Sequence, residues 1–375
     1  MNYNIPLLPL PESIETEKIL RQAILAHRYL GELKGKVETI PNESILINTL
    51  SLQEAKDSSA IENIITTHDE IFKSILFENL FVNNQSAKEV RRYAEALKEG
   101  FNDVRYTGLI TQKTILKIHQ ILEQNNAGYR KLPGTQLIHQ STGKVIYTPP
   151  QDYDNIIRLM NNLEQFINDD SLSQLDPLVK MAVIHHQFES IHPFYDGNGR
   201  AGRILNILYL VKEGLLKLPV LYLSRYIIAY KSDYYKLLQQ VREDGNWEPW
   251  ILFMLKGVEE TAKENINLVT SIKNLMQNYK HKIRKELPKI YSQDLLNNLF
   301  KHPYTKIEFL SNDLNITRLT ATKYLELLVE KGFLKKQKIG KSNFYINEPL
   351  FNLFKDGPSF IEKSDDSIKN IYSWK

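Results

Sequence analysis

No cysteine occurs in the 375-residue chain. That absence excludes disulfides, thiolate metal ligands and a thiol nucleophile, and it fits a reducing compartment, so the cytoplasm is the expected location. A long apolar run near the start is also missing. The segment from Met1 to Pro11 has no basic region and is broken by Pro6, Pro9 and Pro11, so neither a signal peptide nor a membrane span is expected there. Net charge is scarce: 48 Lys and Arg stand against 44 Asp and Glu, a formal +4. It is unevenly placed, because residues 301–345 hold nine Lys/Arg against four Asp/Glu and leave the remainder near −1. Such a basic stretch suits either a nucleic-acid surface or a solvated face. With 42% hydrophobic and 25% charged residues, the composition is that of a globular protein long enough for two or three domains.

The periodicity is mostly helical. Ile19, Ala23, Ala26, Leu30 and Leu33 mark one face of a helix that Gly35 is expected to end. Pro41-Asn42 makes a turn, and a second apolar stretch runs from Ile45 towards Ile61. Further helices are predicted over roughly 86–101, 111–125 and 153–168. Between them, Gln136 to Tyr147 contains two short β-type runs around Ser141-Thr142-Gly143, a hairpin signal closed by Pro149-Pro150. Residues 178–191 are apolar on nearly all sides, as for a helix crossing a core. Near the end of the sequence, Ile307–Leu314, a turn at Asn315–Thr317, Leu319–Gly332 and two strand-like runs around Gly340 predict a winged helix-turn-helix, with Thr317 capping its second helix. Ser364–Ser367 reads as a loose tail.

The densest chemistry lies at residues 192–203, His-Pro-Phe-Tyr-Asp-Gly-Asn-Gly-Arg-Ala-Gly-Arg. Gly197 and Gly199 let successive N–H groups converge on an anion, and the helix expected to start there adds its dipole. His192 has an ordinary pKa of about 6.5 and can serve as a base. Asp196 offers a hard oxygen ligand of the kind Mg²⁺ takes alongside phosphate oxygens and water. Arg200 and Arg203 present planar forks suited to phosphates. His185 and His186 lack any metal-ligand pattern and read as packing residues.

The string resembles the signature of the Fic family, His-x-Phe-x-Asp/Glu-Gly-Asn-Gly-Arg-x-x-Arg, at every fixed position: His192, Phe194, Asp196, Gly197, Asn198, Gly199, Arg200 and Arg203. The resemblance implies a mainly α-helical core with a small β-hairpin flap that holds the target by strand pairing. It also implies transfer of AMP from ATP to a Ser, Thr or Tyr hydroxyl of a protein target, with Mg²⁺. In that reading His192 is the base, Asp196 the metal ligand, and Asn198 with the loop amides of Gly197 and Gly199 binds the α-phosphate. Arg200 and Arg203 orient the β- and γ-phosphates, while Tyr235 and Arg242 border the adenine. Ser58-Ser-Ala-Ile-Glu-Asn63 resembles the family's inhibitory motif, with Glu62 reaching Arg203. The expected plan is an N-terminal helical region with the inhibitory helix (1–100), a Fic core (101–262), a helical linker (263–290), a winged-helix domain (291–355) and a tail (356–375). A homodimer is the assembly the resemblance implies. Two other readings stay open: an ATP-sensing regulator that binds DNA through the winged helix, and transfer or removal of a different nucleotide or phospho group.

Overall fold

The structure, a computed structural model, describes residues 4–76, 84–139, 143–339, 342–355 and 372–374. Among the described residues there are fifteen α-helices and two three-stranded antiparallel sheets. Helix α1 (Glu17–Val37) starts where the Thr16 side chain accepts the Ile19 amide. It runs through Gly35 rather than stopping there, because Leu33 and Val37 on either side are buried and an interior glycine costs only about 1 kcal/mol. Helix α2 (Glu43–Ile61) is capped by Asn42 and buries Thr49, Glu54, Ser58 and Ser59 along with its apolar residues. It therefore passes between other helices instead of lying on the surface.

Helices α3 (His68–Leu76), α4 (Gln85–Thr107) and α5 (Gln112–Glu123) follow, then the expected hairpin, β1 (Leu137–His139) and β2 (Val145–Tyr147). The turn residues Ser141 and Thr142 lie outside the described residues; Gly143 has φ +68°. After α6 (Tyr153–Asn168), α7 (Pro177–Ile191) opens with Asp176 as its cap and Pro177 in its first turn, where no amide partner is lost. Every residue of α7 from Leu178 to Ile191 is buried, as is most of α8 (Asn198–Lys212). These two helices are the centre of the core, with α4, α5 and α6 packed around them. Helices α9 (Leu223–Ala229) and α10 (Lys231–Asp244) lead to α11 (Trp247–Glu286), forty residues long. Helix α11 packs on α7 at one end, and α1 lies along it. The boundary expected at 262/263 falls inside this continuous helix.

Beyond α11 come α12 (Gln293–Lys301), β3 (Tyr304–Thr305), α13 (Ile307–Leu314), α14 (Arg318–Glu330), β4 (Lys335–Ile339), β5 (Ser342–Ile346) and α15 (Glu348–Lys355). Asn315, at φ +52°, ends α13, and the Thr317 hydroxyl accepts the Thr320 amide at 3.2 Å to start α14. Helix-turn-helix and wing are both present, the strands running β3-β5-β4. This unit is docked on α3: Tyr304 Oη donates to Asp69 Oδ1 at 2.7 Å, and the Phe72 ring meets Tyr304, Phe351 and Phe354. The sequence Ser364–Ser367 lies outside the described residues, but β6 (Tyr372–Trp374) is a strand, added to β1 in the order β2-β1-β6. Among the described residues no helix is long and apolar enough to cross a membrane.

Candidate active site

His192 ends α7 in a left-handed conformation, φ +48° and ψ +60°, with its amide still bonded to the Phe188 carbonyl. That conformation turns the chain sharply out of α7 and into the loop leading to α8. The loop is held on both sides. Arg130 donates through Nε to the His192 carbonyl at 2.8 Å and through Nη2 to the Pro150 carbonyl, so one buried guanidinium ties the histidine to the base of the hairpin. His119 stacks on Phe194 at 3.7 Å and bonds the Asp196 carbonyl at 3.0 Å. Sequence reasoning missed Arg130 and His119, and nothing in their local spacing marks them out.

Gly197 has φ +75°, and a Cβ there would approach Glu123 Oε1 to 2.6 Å. At Gly199 a Cβ would run into the Glu62 carboxylate and come within 2.9 Å of Arg203 Nη1. The first glycine is required by backbone conformation, the second by how closely charged groups approach the helix start. Asn198 has a structural part that the sequence did not show. Its Oδ1 accepts the Phe194 amide and its Nδ2 donates to the Phe194 carbonyl, both at 2.9 Å. Its side chain clamps the loop through one of its two Nδ2 hydrogens and its Oδ1, and its backbone N–H lies in the first turn of α8.

The charged residues divide by burial. The Asp196 side chain is 82% exposed, accepts the Gly197 amide at 2.6 Å and lies 3.8 Å from Arg200. Arg200 is buried against Glu123 at 2.8 Å and Glu89 at 3.4 Å. Arg203, with a side chain 2% exposed, donates through Nε to Ser58 Oγ at 2.8 Å, and through Nη2 to the Ser58 carbonyl at 3.0 Å and Glu62 Oε1 at 2.7 Å. Burial pushes the Glu62 carboxyl up, but the charges of Arg203, Arg200 and Lys231 outweigh it and leave the group below the usual carboxylate range. Glu62 and Arg203 therefore form an ion pair at neutral pH. Glu62 follows the last residue of α2, and Asn63 after it takes φ +64°, the left-handed position that favours Asn or Gly.

His192 is buried, and its pKa is pushed well below the ordinary histidine range by desolvation and by the charges of Arg130 and Arg242, against a hydrogen bond to the Glu189 backbone. At neutral pH the ring is uncharged and can accept a proton. Arg242 does not line the cleft, contrary to expectation. Its Nε donates to Ser190 Oγ at 3.0 Å and its Nη2 to the Glu189 carbonyl at 3.2 Å, while its guanidinium lies 4.0 Å over the Tyr147 ring. It braces the end of α7 against the hairpin. Tyr235 does line the cleft, edge-on to Tyr234. His185 and His186 are core residues, bonded to Tyr234 Oη and the Leu238 carbonyl.

One further group was not read from the sequence. Glu189, one helical turn before His192, is 6% exposed, lines the same cleft, and has an oxygen with no hydrogen-bond partner among the described residues. Burial raises its pKa to about 7, Arg203 opposing and Glu62 reinforcing the shift. The cleft between Glu62, Glu189, His192, Arg203 and the two tyrosines has room of ≈ 40 Å³, enough for a few waters. No cluster of three or more metal-ligating side chains occurs among the described residues. A lone exposed carboxylate, Asp196, fits a Mg²⁺ whose other ligands come from phosphate and water.

Three family models match the chain: Fic/DOC family N-terminal over residues 20–102, Fic/DOC family over 109–210, and the C-terminal domain of SoFic-like protein adenylyltransferases over 275–350. Among curated relatives, protein adenylyltransferase fic-1 of Caenorhabditis elegans is 26% identical over 138 residues, 36% of this chain and 26% of its own length. Protein adenylyltransferase Fic of Aedes aegypti is 28% identical over 198 residues, 50% of this chain and 36% of its own. The matched stretch thus spans well under half the length of these relatives. Among solved structures, a Fic family protein from Desulfovibrio desulfuricans G20 superposes with a TM-score of 0.57 at 21% identity, covering 90% of this chain and 98% of that one. Fic-1 of C. elegans, residues 134–508, gives 0.52 at 19% identity, covering 68% and 74%. These likenesses show the fold.

Proposed function

Because the chain belongs to the Fic/DOC family, we propose that it is a protein adenylyltransferase held at rest by its own second helix. The observation that carries this reading is the Ser58–Glu62 grip on Arg203: the arginine that the motif assigns to a γ-phosphate is bonded to a carboxylate of the same chain. In the active form Glu62 withdraws and the nucleotide's γ-phosphate takes its place on Arg203. The α-phosphate then lies over the first-turn amides of α8, which stabilise the charge that develops there. The uncharged His192 ring takes the proton from a Ser, Thr or Tyr hydroxyl as that oxygen attacks the α-phosphorus and pyrophosphate leaves. Asp196 would hold Mg²⁺, which supplies charge neutralisation on the phosphates. With Glu62 in place the α-phosphate is misaligned, and misplacement by about 1 Å costs on the order of 10²-fold in rate. The cytoplasm and a homodimer complete the proposal.

The test is incubation of wild type, Glu62→Gly and Glu62→Gly/His192→Ala with α-labelled ATP, Mg²⁺ and a cell lysate. Label on protein bands is expected with the single variant, at least tenfold above wild type, and absent with the double variant. Equal label from all three forms, or none from any, would sink the transferase reading.

A further inference from the structure

The hairpin beside the site is a three-stranded sheet because residues 372–374 of the same chain pair with it. The register is antiparallel, Leu137 opposite Trp374, Ile138 opposite Ser373 and His139 opposite Tyr372. The hairpin itself is fastened along its other strand. Tyr147 Oη donates to the Ser190 carbonyl at 2.6 Å, two residues before His192; Arg242 covers the Tyr147 ring, and Gln239 reaches the Ile146 carbonyl at 3.5 Å. With β2 anchored to α7 and α10 and paired with one edge of β1, the other edge of β1 is the one that takes an added strand, and residues 372–374 fill it. Three-residue strands are too short to be stable as an isolated pair, and an open edge is a template for any extended segment.

We propose that residues 372–374, paired with the far edge of β1, withhold that edge in cis, so that the extended target strand which the family resemblance assigns to the hairpin gains it only by displacing them. That the displacing strand is a substrate rests on the transferase reading; that the edge takes a strand does not. The segment then acts as a second restraint, separate from Glu62: one withholds Arg203 from the nucleotide, the other withholds the backbone edge from the target. Main-chain pairing supplies the affinity in such docking and is tolerant of sequence, so the competition is governed by local concentration. A tethered strand is favoured over a free one until a target offers further contacts.

The test uses the full chain and a variant, Ser373→Pro/Trp374→Pro. Successive amides in a strand point to opposite edges, so two adjacent prolines remove one that faces β1 whichever it is. Hydrogen exchange at the amides of 137–139 is expected to be at least tenfold faster in the variant, with the melting temperature unchanged. A chain ending after Lys355 should behave alike and should bind a fluorescent peptide of residues 364–375 saturably, at least tenfold tighter than the full chain does. Equal exchange in all three chains, or equal peptide binding by full and shortened chains, would overturn the proposal. In the Glu62→Gly background, the two prolines should lower KM for a labelled protein target with kcat unchanged. If Glu62→Gly transfers no AMP to any protein, the transferase reading falls while the exchange result still decides whether the edge is occupied.

Discussion

Arg203 carries a full positive charge inside the protein, and its ion-pair partner is a single carboxylate. Breaking a buried pair leaves a stranded charge, at a typical cost of several kcal/mol, so replacing Glu62 alone should make the fold depend on an anion arriving. Glu62→Gly is expected to melt lower than wild type without nucleotide and to recover on adding ATP with Mg²⁺, read by thermal unfolding. Because the Glu62 carboxyl lies below its ordinary range, its stabilising contribution is present above its unfolded pKa of about 4.3 and is lost as pH falls through the lower folded value. Mild acid at pH 5 therefore leaves the Glu62–Arg203 ion pair in place. Glu189 has the opposite sign. Its pKa is raised to about 7, so its contribution is fully present below about 4.3 and fades as pH rises through 7. Glu189→Gln, which is neutral at every pH, should match the wild-type melting temperature at about pH 4 and exceed it by a few degrees at pH 8. A wild-type advantage at pH 8 would refute the assignment.

The end geometry of helix α2 sets where Glu62 lies. Two turns before that end, the buried Glu54 carboxyl accepts from the Ser224 hydroxyl, from the Ser224 amide at 3.1 Å and from Tyr93 Oη at 3.2 Å. At the end itself, Asn63 at φ +64° reverses the chain, and the Ile64 amide returns to the Ser59 carbonyl at 3.0 Å. Glycine tolerates that backbone, whereas a β-branched residue is strained by roughly 1–2 kcal/mol. Asn63→Gly should therefore keep basal AMP transfer low, and Asn63→Val should raise it several-fold, measured with labelled ATP. Equal basal rates would show that Glu62 is aimed by its contacts with Arg203 alone. The same local rules account for what could be read ahead of the structure. The cap at Thr317 and the hairpin are short-range signals, while Gly35 misled because burial on both sides outweighed its small local penalty.

The winged helix packs on α3, the helix that follows Glu62 and Asn63 by a few residues, through Phe72 and the Tyr304–Asp69 hydrogen bond. A ligand or partner of that domain therefore has a short mechanical path to the segment around Glu62, proposed above to be inhibitory. Phe72→Ala removes the aromatic centre of the contact, worth about 3–5 kcal/mol for a buried ring, and should raise basal transfer with Glu62 intact. An unchanged rate would uncouple the domain from the restraint. As for DNA, two wing lysines are already paired within the domain, Lys335 with Glu348 at 2.7 Å and Lys336 with Glu326 at 2.5 Å, which reduces the basic surface the sequence offers.

What the sequence determined by itself was the local chemistry: the His192–Arg203 loop and its opening onto α8, the helical periods and the winged-helix pattern. Each depends on residues within a turn or two of one another, where propensity and spacing act directly. The Ser58–Glu62 motif suggested its partner through its resemblance to the family's inhibitory motif, with helical spacing putting both residues on one face. Long-range packing decided the rest. It turned the Asn198 side chain into a loop clamp and moved Arg242 from the nucleotide to the back of the hairpin. It buried Glu189 with an unpartnered oxygen, brought Arg130 under His192, and laid residues 372–374 on β1. Those outcomes depend on which surfaces meet across the chain, and a buried charge or an open strand edge takes whatever partner the fold brings within reach.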